Sequence, residues 1–342
     1  APAAIVDLKA AVRYLKANDK VMPGDAEKII SNGTSAGGAM SALLGATADQ
    51  KDYEKYLKAL GAADGSDKIF AVSAYCPITD LEHADMAYEW QFNGVNDYKK
   101  MNISMLDYRV KRELVAGTLT DDEKKLSDLL KPLYPAYLNS LNLKSPEGKP
   151  LTLDAQGNGS FKNHIAGLLA KSAQTQLDAG KDLSDRTWLT VRNGKVVSVD
   201  FDAYAKAAGR QKTPPAFDGV DLSAGENQLF GTEKVDKRHF TAFSMQHNTA
   251  ANAEIADEET IKIMNPLNYI GKPGVNLPQN WRIRVGTNDR DTSLAVSAVL
   301  AAKLQNNGQT VDYALPWDVG HGGDYDLDEL FAWMKQVSSS AK

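Results

Sequence analysis

Apolar residues recur at three- and four-residue intervals near the start of the chain, where Ile5, Leu8, Val12 and Leu15 mark one face of an amphipathic helix over 5–17. After the turn Met22-Pro23-Gly24-Asp25, a short strand is predicted over 28–32. It runs into Gly33-Thr34-Ser35-Ala36-Gly37-Gly38 and then into small and apolar residues over 39–46 that suit a helix. The segment 68–76 is almost continuously apolar, as a strand buried on both faces would be, and Pro77 ends it. Strand, tight turn, helix and a second buried strand together predict a parallel sheet.

From about 81 to 280 the pattern breaks into short, mixed, more polar elements. Helical spacing over 126–143 is interrupted by Pro132 and Pro135, 165–177 reads as a helix, and 187–199 reads as a hairpin turning at Asn193-Gly194. The doubly wound pattern then resumes with a strand over 281–286, a helix over 292–304, a strand over 311–316 and a closing helix over 327–337. The expected fold class is α/β: a doubly wound, mainly parallel sheet from residues 1–80 and 281–342, with 81–280 inserted as a cap or lid domain.

Composition narrows the function classes. Of 342 residues, 43% are hydrophobic and 24% charged, with a formal net charge of -5. These are values of an ordinary globular enzyme and give no footing for nucleic acid. No apolar run reaches the roughly 18 residues of a membrane-spanning helix, and the first residues lack a basic-then-apolar secretion signal. Cys76 is the single cysteine, which excludes an internal disulfide and a cysteine-based zinc site and leaves the compartment open.

Gly33-Thr34-Ser35-Ala36-Gly37 lies between a predicted strand and a predicted helix, the setting in which a serine is held up on a sharp turn as a nucleophile. The helix start would also aim the Ala36 amide at a developing oxyanion. The bland alternative is a turn that binds a phosphate or nothing. A serine hydroxyl needs a base, and the base an acid that orients it. Of five histidines only His321, in Gly320-His321-Gly322-Gly323, follows the last predicted strand. Asp289, just past the strand at 281–286, is the candidate acid and Asp291 its rival. Either could instead cap the next helix, and Asp291 is better placed to do so.

The stretches Val6-Asp7-Leu8-Lys9-Ala10-Ala11, Pro23-Gly24-Asp25, Ser31-Asn32-Gly33-Thr34-Ser35-Ala36-Gly37-Gly38, Gly286-Thr287-Asn288-Asp289-Arg290-Asp291-Thr292-Ser293 and Gly320-His321-Gly322 resemble bacterial tannases, within the tannase and feruloyl esterase group of α/β-hydrolases. The resemblance spans nearly the whole chain. It implies a serine esterase acting on galloyl esters, with Ser35, Asp289 and His321 as triad and with no metal or organic cofactor. It further implies that Lys212, Glu226 and Asp291 grip the ring hydroxyls, which offer donors to carboxylates and acceptors to an ammonium. Bacterial members leave both secreted and cytoplasmic locations open. The alternatives are a feruloyl or other hydroxycinnamoyl esterase and, from another class, a catalytically inactive protein that binds phenolics.

The pattern departs from the fold in one respect. Several strands normally precede the nucleophile turn, whereas here one helix and one strand do. The expectation is that the N-terminal strands form a second polypeptide from the same precursor, packed against this one and supplying the other oxyanion donor, or are numbered elsewhere. The acidic run Asp324-Tyr325-Asp326-Leu327-Asp328-Glu329 lacks calcium-loop spacing and is expected to open the last helix.

Overall fold

The computed structural model describes residues 1–340. The chain opens with helix α1 (Ala3–Ala17) and strand β1 (Ile30–Thr34), followed by α2 (Ala36–Ala46), α3 (Glu54–Leu60) and β2 (Ala71–Tyr75). After the insertion come β7 (Asn280–Arg284), α12 (Leu294–Asn306), β8 (Thr310–Ala314) and α13 (Leu327–Ser340). These four strands form one parallel sheet in the order β1-β2-β7-β8. Register pairs Thr34 with Tyr75 and Tyr75 with Arg284, so the C-terminal ends of the first three strands finish level. Functional loops of such sheets gather at that edge.

β2 is buried at all five positions, as its unbroken apolar run requires. The first helix differs from its periodicity. Ile5, Val6 and Val12 are buried, but Leu8 is 39% exposed while Lys9 is fully buried. The cause is a charge cluster: Lys9 Nζ donates to Asp67 (2.9 Å) and to the Thr47 carbonyl (2.6 Å), and Arg13 reaches Asp67 and Glu54. Buried charges persist only when paired this way, and pairing rotates the helix so that Lys9 displaces Leu8 from the interior.

The insertion holds α4 (Leu81–Phe92), the antiparallel hairpin β3 (Asp97–Leu106) and β4 (Arg109–Thr118), α5 (Asp121–Leu130), α6 (Leu133–Ser140), α7 (Ser160–Asp178), the hairpin β5 (Leu189–Arg192) and β6 (Lys195–Val199), and α8 (Phe201–Ala208). Three short helices follow: α9 (Gly225–Leu229), α10 (Ala242–Gln246) and α11 (Glu258–Ile263). The two prolines act differently. Pro132 separates α5 from α6, whereas Pro135 sits within the first turn of α6, where its missing N–H has no helical partner to lose. A Thr120/Glu123 capping box opens α5. Trp90, Tyr134, Phe161 and Trp188 of the insertion join Trp281 and Leu300 in one continuous core, so this segment is packed onto the sheet rather than tethered to it.

Arg210 fixes the path of the insertion toward the sheet edge. Its guanidinium is fully buried, donates from Nη2 to both carboxylate oxygens of Glu89 (2.9 and 2.6 Å) and also donates to the carbonyls of Val95 (3.2 Å) and Lys212 (2.9 Å).

Candidate active site

Ser35 joins β1 to α2 with φ 61° and ψ −116°, a strained conformation for a residue with a side chain. The turn is possible because Gly33 lacks a Cβ: one built there would meet the Gly37 carbonyl oxygen at 2.1 Å. The second glycine of the pattern, Gly37, has open space, and the crowding falls on Gly38, where a Cβ would lie 2.6 Å from the Tyr75 carbonyl oxygen. Close helix-to-strand packing therefore constrains the position after the expected one. Ala36 is the first residue of α2, so its N–H has no intrahelical partner, and the residue is exposed.

Two loops at the sheet edge bring the other groups together. The Thr287 and Asn288 amides donate to the carbonyls of Pro316 (2.9 Å) and Val319 (3.0 Å), and Thr287 Oγ1 accepts from the Asp318 amide (2.8 Å). Laced in this way, the loop after β7 and the loop after β8 place His321 between Ser35 and Asp289. His321 Nε2 lies 2.7 Å from Ser35 Oγ, and Nδ1 lies 2.9 Å from Asp289 Oδ2. Asp289 is fully buried. The rival Asp291 approaches the opposite ring nitrogen, with Oδ2 3.4 Å from Nε2. Neither carboxylate caps the next helix; Ser293 does so.

Asp291 Oδ2 also lies 3.3 Å from Lys212 Nζ, which sits 4.0 Å above the Phe217 ring. Glu226, in the first turn of α9, completes the group. Burial pushes its carboxyl pKa up, the Lys212 charge opposes that, and the Asp291 charge adds to it. The structure thus gathers all seven sequence-predicted residues at one edge. Cys76, unassigned by sequence, stands with them. It is buried, adopts φ 36° at the end of β2, and puts Sγ 3.9 Å from His321 Nε2. Its place directly after a buried strand was the only available signal.

Burial works to lower the His321 pKa, but the hydrogen bond to Asp289, the Cys76 contact and the charges of Asp289 and Asp291 outweigh it and push it up to about 10. A base must be neutral to take a proton, so kcat/KM should rise with pH as this group deprotonates. Removing one carboxylate charge by Asp291→Asn should move that rising limb to lower pH. A pH–rate profile on a substrate without ring hydroxyls checks this, and an unmoved or upward-shifted limb would contradict it.

Among the described residues, Cys76, Asp289 and His321 are the one group placed closely enough to hold a metal ion, with donor atoms within 4.8 Å of one another. Asp289 and His321 already bond to each other, so hydrogen bonding accounts for their placement without a metal. The acidic run divides its work: Asp328 and Glu329 begin α13, whereas Asp326 pairs with Arg282 and Tyr75.

A hydroxyl, an imidazole and a buried carboxylate in series can transfer an acyl group from an ester to the serine and then to water. A family model described as BD-FAE matches residues 1–120. No curated protein matches the chain. Among solved structures, the tannase of Lactobacillus plantarum is 48% identical with a TM-score of 0.95, covering 98% of this chain and 72% of that one. The tannase of Fusobacterium nucleatum is 53% identical with a TM-score of 0.93, covering 98% of this chain and 73% of its own.

The chain belongs to the tannases.

It is therefore a carboxylic ester hydrolase of α/β-hydrolase fold, as the nucleophile turn and the family resemblance led one to expect. Another tannase structure of this kind, a tannin acyl hydrolase in complex with ethyl gallate, is 48% identical with a TM-score of 0.92 and is matched over 71% of its length by 98% of this chain. No helix among the described residues is long and apolar enough to cross a membrane.

Proposed function

We propose that this tannase hydrolyses galloyl esters, with Ser35 as nucleophile, His321 as base and Asp289 as orienting acid. The observation that carries the reading is the unbroken series Ser35 Oγ, His321, Asp289, with His321 Nε2 3.4 Å from Asp291 Oδ2, which in turn lies 3.3 Å from Lys212 Nζ. Neutral His321 takes the Ser35 proton as Oγ attacks the ester carbonyl. The Ala36 amide donates to the resulting oxyanion, and the imidazolium then protonates the departing alcohol. Water, deprotonated by His321, releases gallate from the acyl-enzyme. Asp289 remains ionised throughout and holds Nδ1–H toward itself.

Ring specificity falls to Lys212, Glu226 and Asp291. Three adjacent hydroxyls satisfy an ammonium and two carboxylates at once, and a ring lacking them leaves partly buried charges without partners. The insertion supplies Lys212 and Glu226 and the sheet edge supplies Asp291, so residues 81–280 act as a cap over residues 1–80 and 281–342. A relative bound to ethyl gallate supports this assignment. The BD-FAE match keeps a feruloyl ester as the second reading.

Glu226→Gln and Lys212→Met should each lower kcat/KM for methyl gallate by roughly 10- to 100-fold, the worth of a hydrogen bond to a charged group. Methyl benzoate should be much less affected. Equal losses on the two esters would remove these residues from the ring pocket, and wild-type preference for methyl ferulate over methyl gallate would select the second reading.

A further inference from the structure

β7 carries an arginine where a strand flanked on both sides favours an apolar residue. Arg282 is 1% exposed and lies in the sheet between β2 and β8, so its charge must be met by partners inside the protein. Register sets it beside Ser73 of β2, which lies beside Asn32 of β1. Thr34 and Tyr75, two residues further along their strands, point to the same face. The sheet is therefore polar on one face below the serine turn, and the proposed chemistry leaves that face unused.

These side chains converge on the loop that carries His321. The Arg282 guanidinium donates to the Tyr75 hydroxyl (3.0 Å) and to the Asp326 carboxylate, whose other oxygen accepts from Tyr75. Asn32 Nδ2 donates to Asp324 (3.0 Å), and Asn32 Oδ1 accepts from the Ser73 hydroxyl (2.8 Å). Burial works to raise the Asp326 pKa, but the hydrogen bonds from Tyr75 and Arg282 and the charges of Arg282 and Arg284 outweigh it and bring it below the ordinary value. Asp326 thus stays a carboxylate at every pH at which His321 is neutral.

The loop needs such anchors because glycines flank the imidazole, in Gly320-His321-Gly322-Gly323, and glycine has the most backbone freedom to lose. Before His321 the loop is fixed through Val319, whose carbonyl accepts the Asn288 amide (3.0 Å). After it comes a weak contact from the Cys76 thiol to the Gly322 carbonyl (3.4 Å). Gly323 then passes so close to the sheet that a Cβ would meet Thr34 Oγ1 at 2.0 Å, and Asp324 and Asp326 tie the chain down just beyond.

We propose that Asp326, held by Arg282 and Tyr75, is a positioning residue for the base: it fixes the glycine-flanked loop so that His321 Nε2 stays on Ser35 while Nδ1 stays on Asp289. The inference rests on His321 as the base of the proposed mechanism. A displacement of about 1 Å costs on the order of 100-fold in turnover. The loss falls on every ester alike, because the imidazole serves the reaction and not the ring.

Kinetics on methyl gallate and methyl benzoate, together with the low-field proton resonance of the His321 Nδ1–H, test this. Two variants loosen the anchor. Arg282→Met/Asp326→Leu removes both charges together and so strands neither, while Tyr75→Phe removes one hydroxyl and leaves the ion pair. The first should lower kcat roughly 30- to 100-fold on both esters, keep KM within about twofold, and broaden or abolish the Nδ1–H resonance. Tyr75→Phe should lower kcat severalfold in the same pattern. Asp312→Ala breaks the Arg284–Asp312 pair (2.9 Å) on the same face of the sheet and should match wild type in both readouts. A folded double variant with wild-type kcat and an unchanged resonance would overturn the proposal. If that variant does not fold, wild-type kcat in Tyr75→Phe would do so, as would a loss confined to methyl gallate or an equal loss in Asp312→Ala. His321→Ala with turnover near wild type would instead overturn the assignment of the base, and this inference with it.

Discussion

Ser35→Ala should cut kcat for methyl gallate by a factor on the order of 10⁵, because the acyl-enzyme route is lost while substrate binding is kept. His321→Ala should cost a similar factor, since an unactivated hydroxyl is a poor nucleophile at neutral pH. The two losses should not add: the double variant should be about as slow as either single one, because hydroxyl and imidazole act as one unit. The Ser35 variant should also lose labelling by a fluorophosphonate probe. Residual turnover within about tenfold of wild type would place the nucleophile elsewhere.

Arg210→Met should lower the unfolding free energy by about 3–5 kcal/mol, measured by urea denaturation, because it strands the Glu89 carboxylate inside the protein. Both partners are fully buried, so solvent gives no compensation. The double variant Glu89→Met/Arg210→Met should recover most of that stability, since two packed apolar side chains can replace a buried ion pair at little net cost. Because Arg210 also donates to the Lys212 carbonyl, the single variant should further raise KM for methyl gallate in the fraction that remains folded. Single and double variants of equal stability would show that the pair contributes little.

The grouping at the candidate catalytic edge was legible in the sequence because its requirements are local. A strand, a serine turned by Gly33 and a helix of small residues occupy adjacent positions, and the histidine is singled out by following the last strand. The choice between Asp289 and Asp291 was not local. It depends on how the loops after β7 and β8 are laced through Thr287 and Val319, which no spacing rule encodes. Periodicity misplaced Leu8 for a similar reason, as Asp67 lies 58 residues from the Lys9 it draws inward. The β3–β4 hairpin escaped notice because its turn is Asp107-Tyr108, both at positive φ (51° and 60°), where the usual marker is a glycine or asparagine. A tyrosine in that position gives no turn signal.

The two oxygens of Asp289 serve different masters. Oδ2 meets the His321 ring, while Oδ1 accepts the Asp291 amide at 2.9 Å. One carboxylate thus sets both the tilt of the His321 ring, the proposed base, and the place of Asp291, a proposed ring-binding group. Under selection for a new acyl group, changes at Asp291 or its loop would disturb turnover as they altered preference. Lys212 and Glu226, carried on separate backbone, meet this loop only through the charge of Asp291. Divergence of acyl preference in this lineage should therefore begin at those two positions, with the loop after β7 the last part of the pocket to vary.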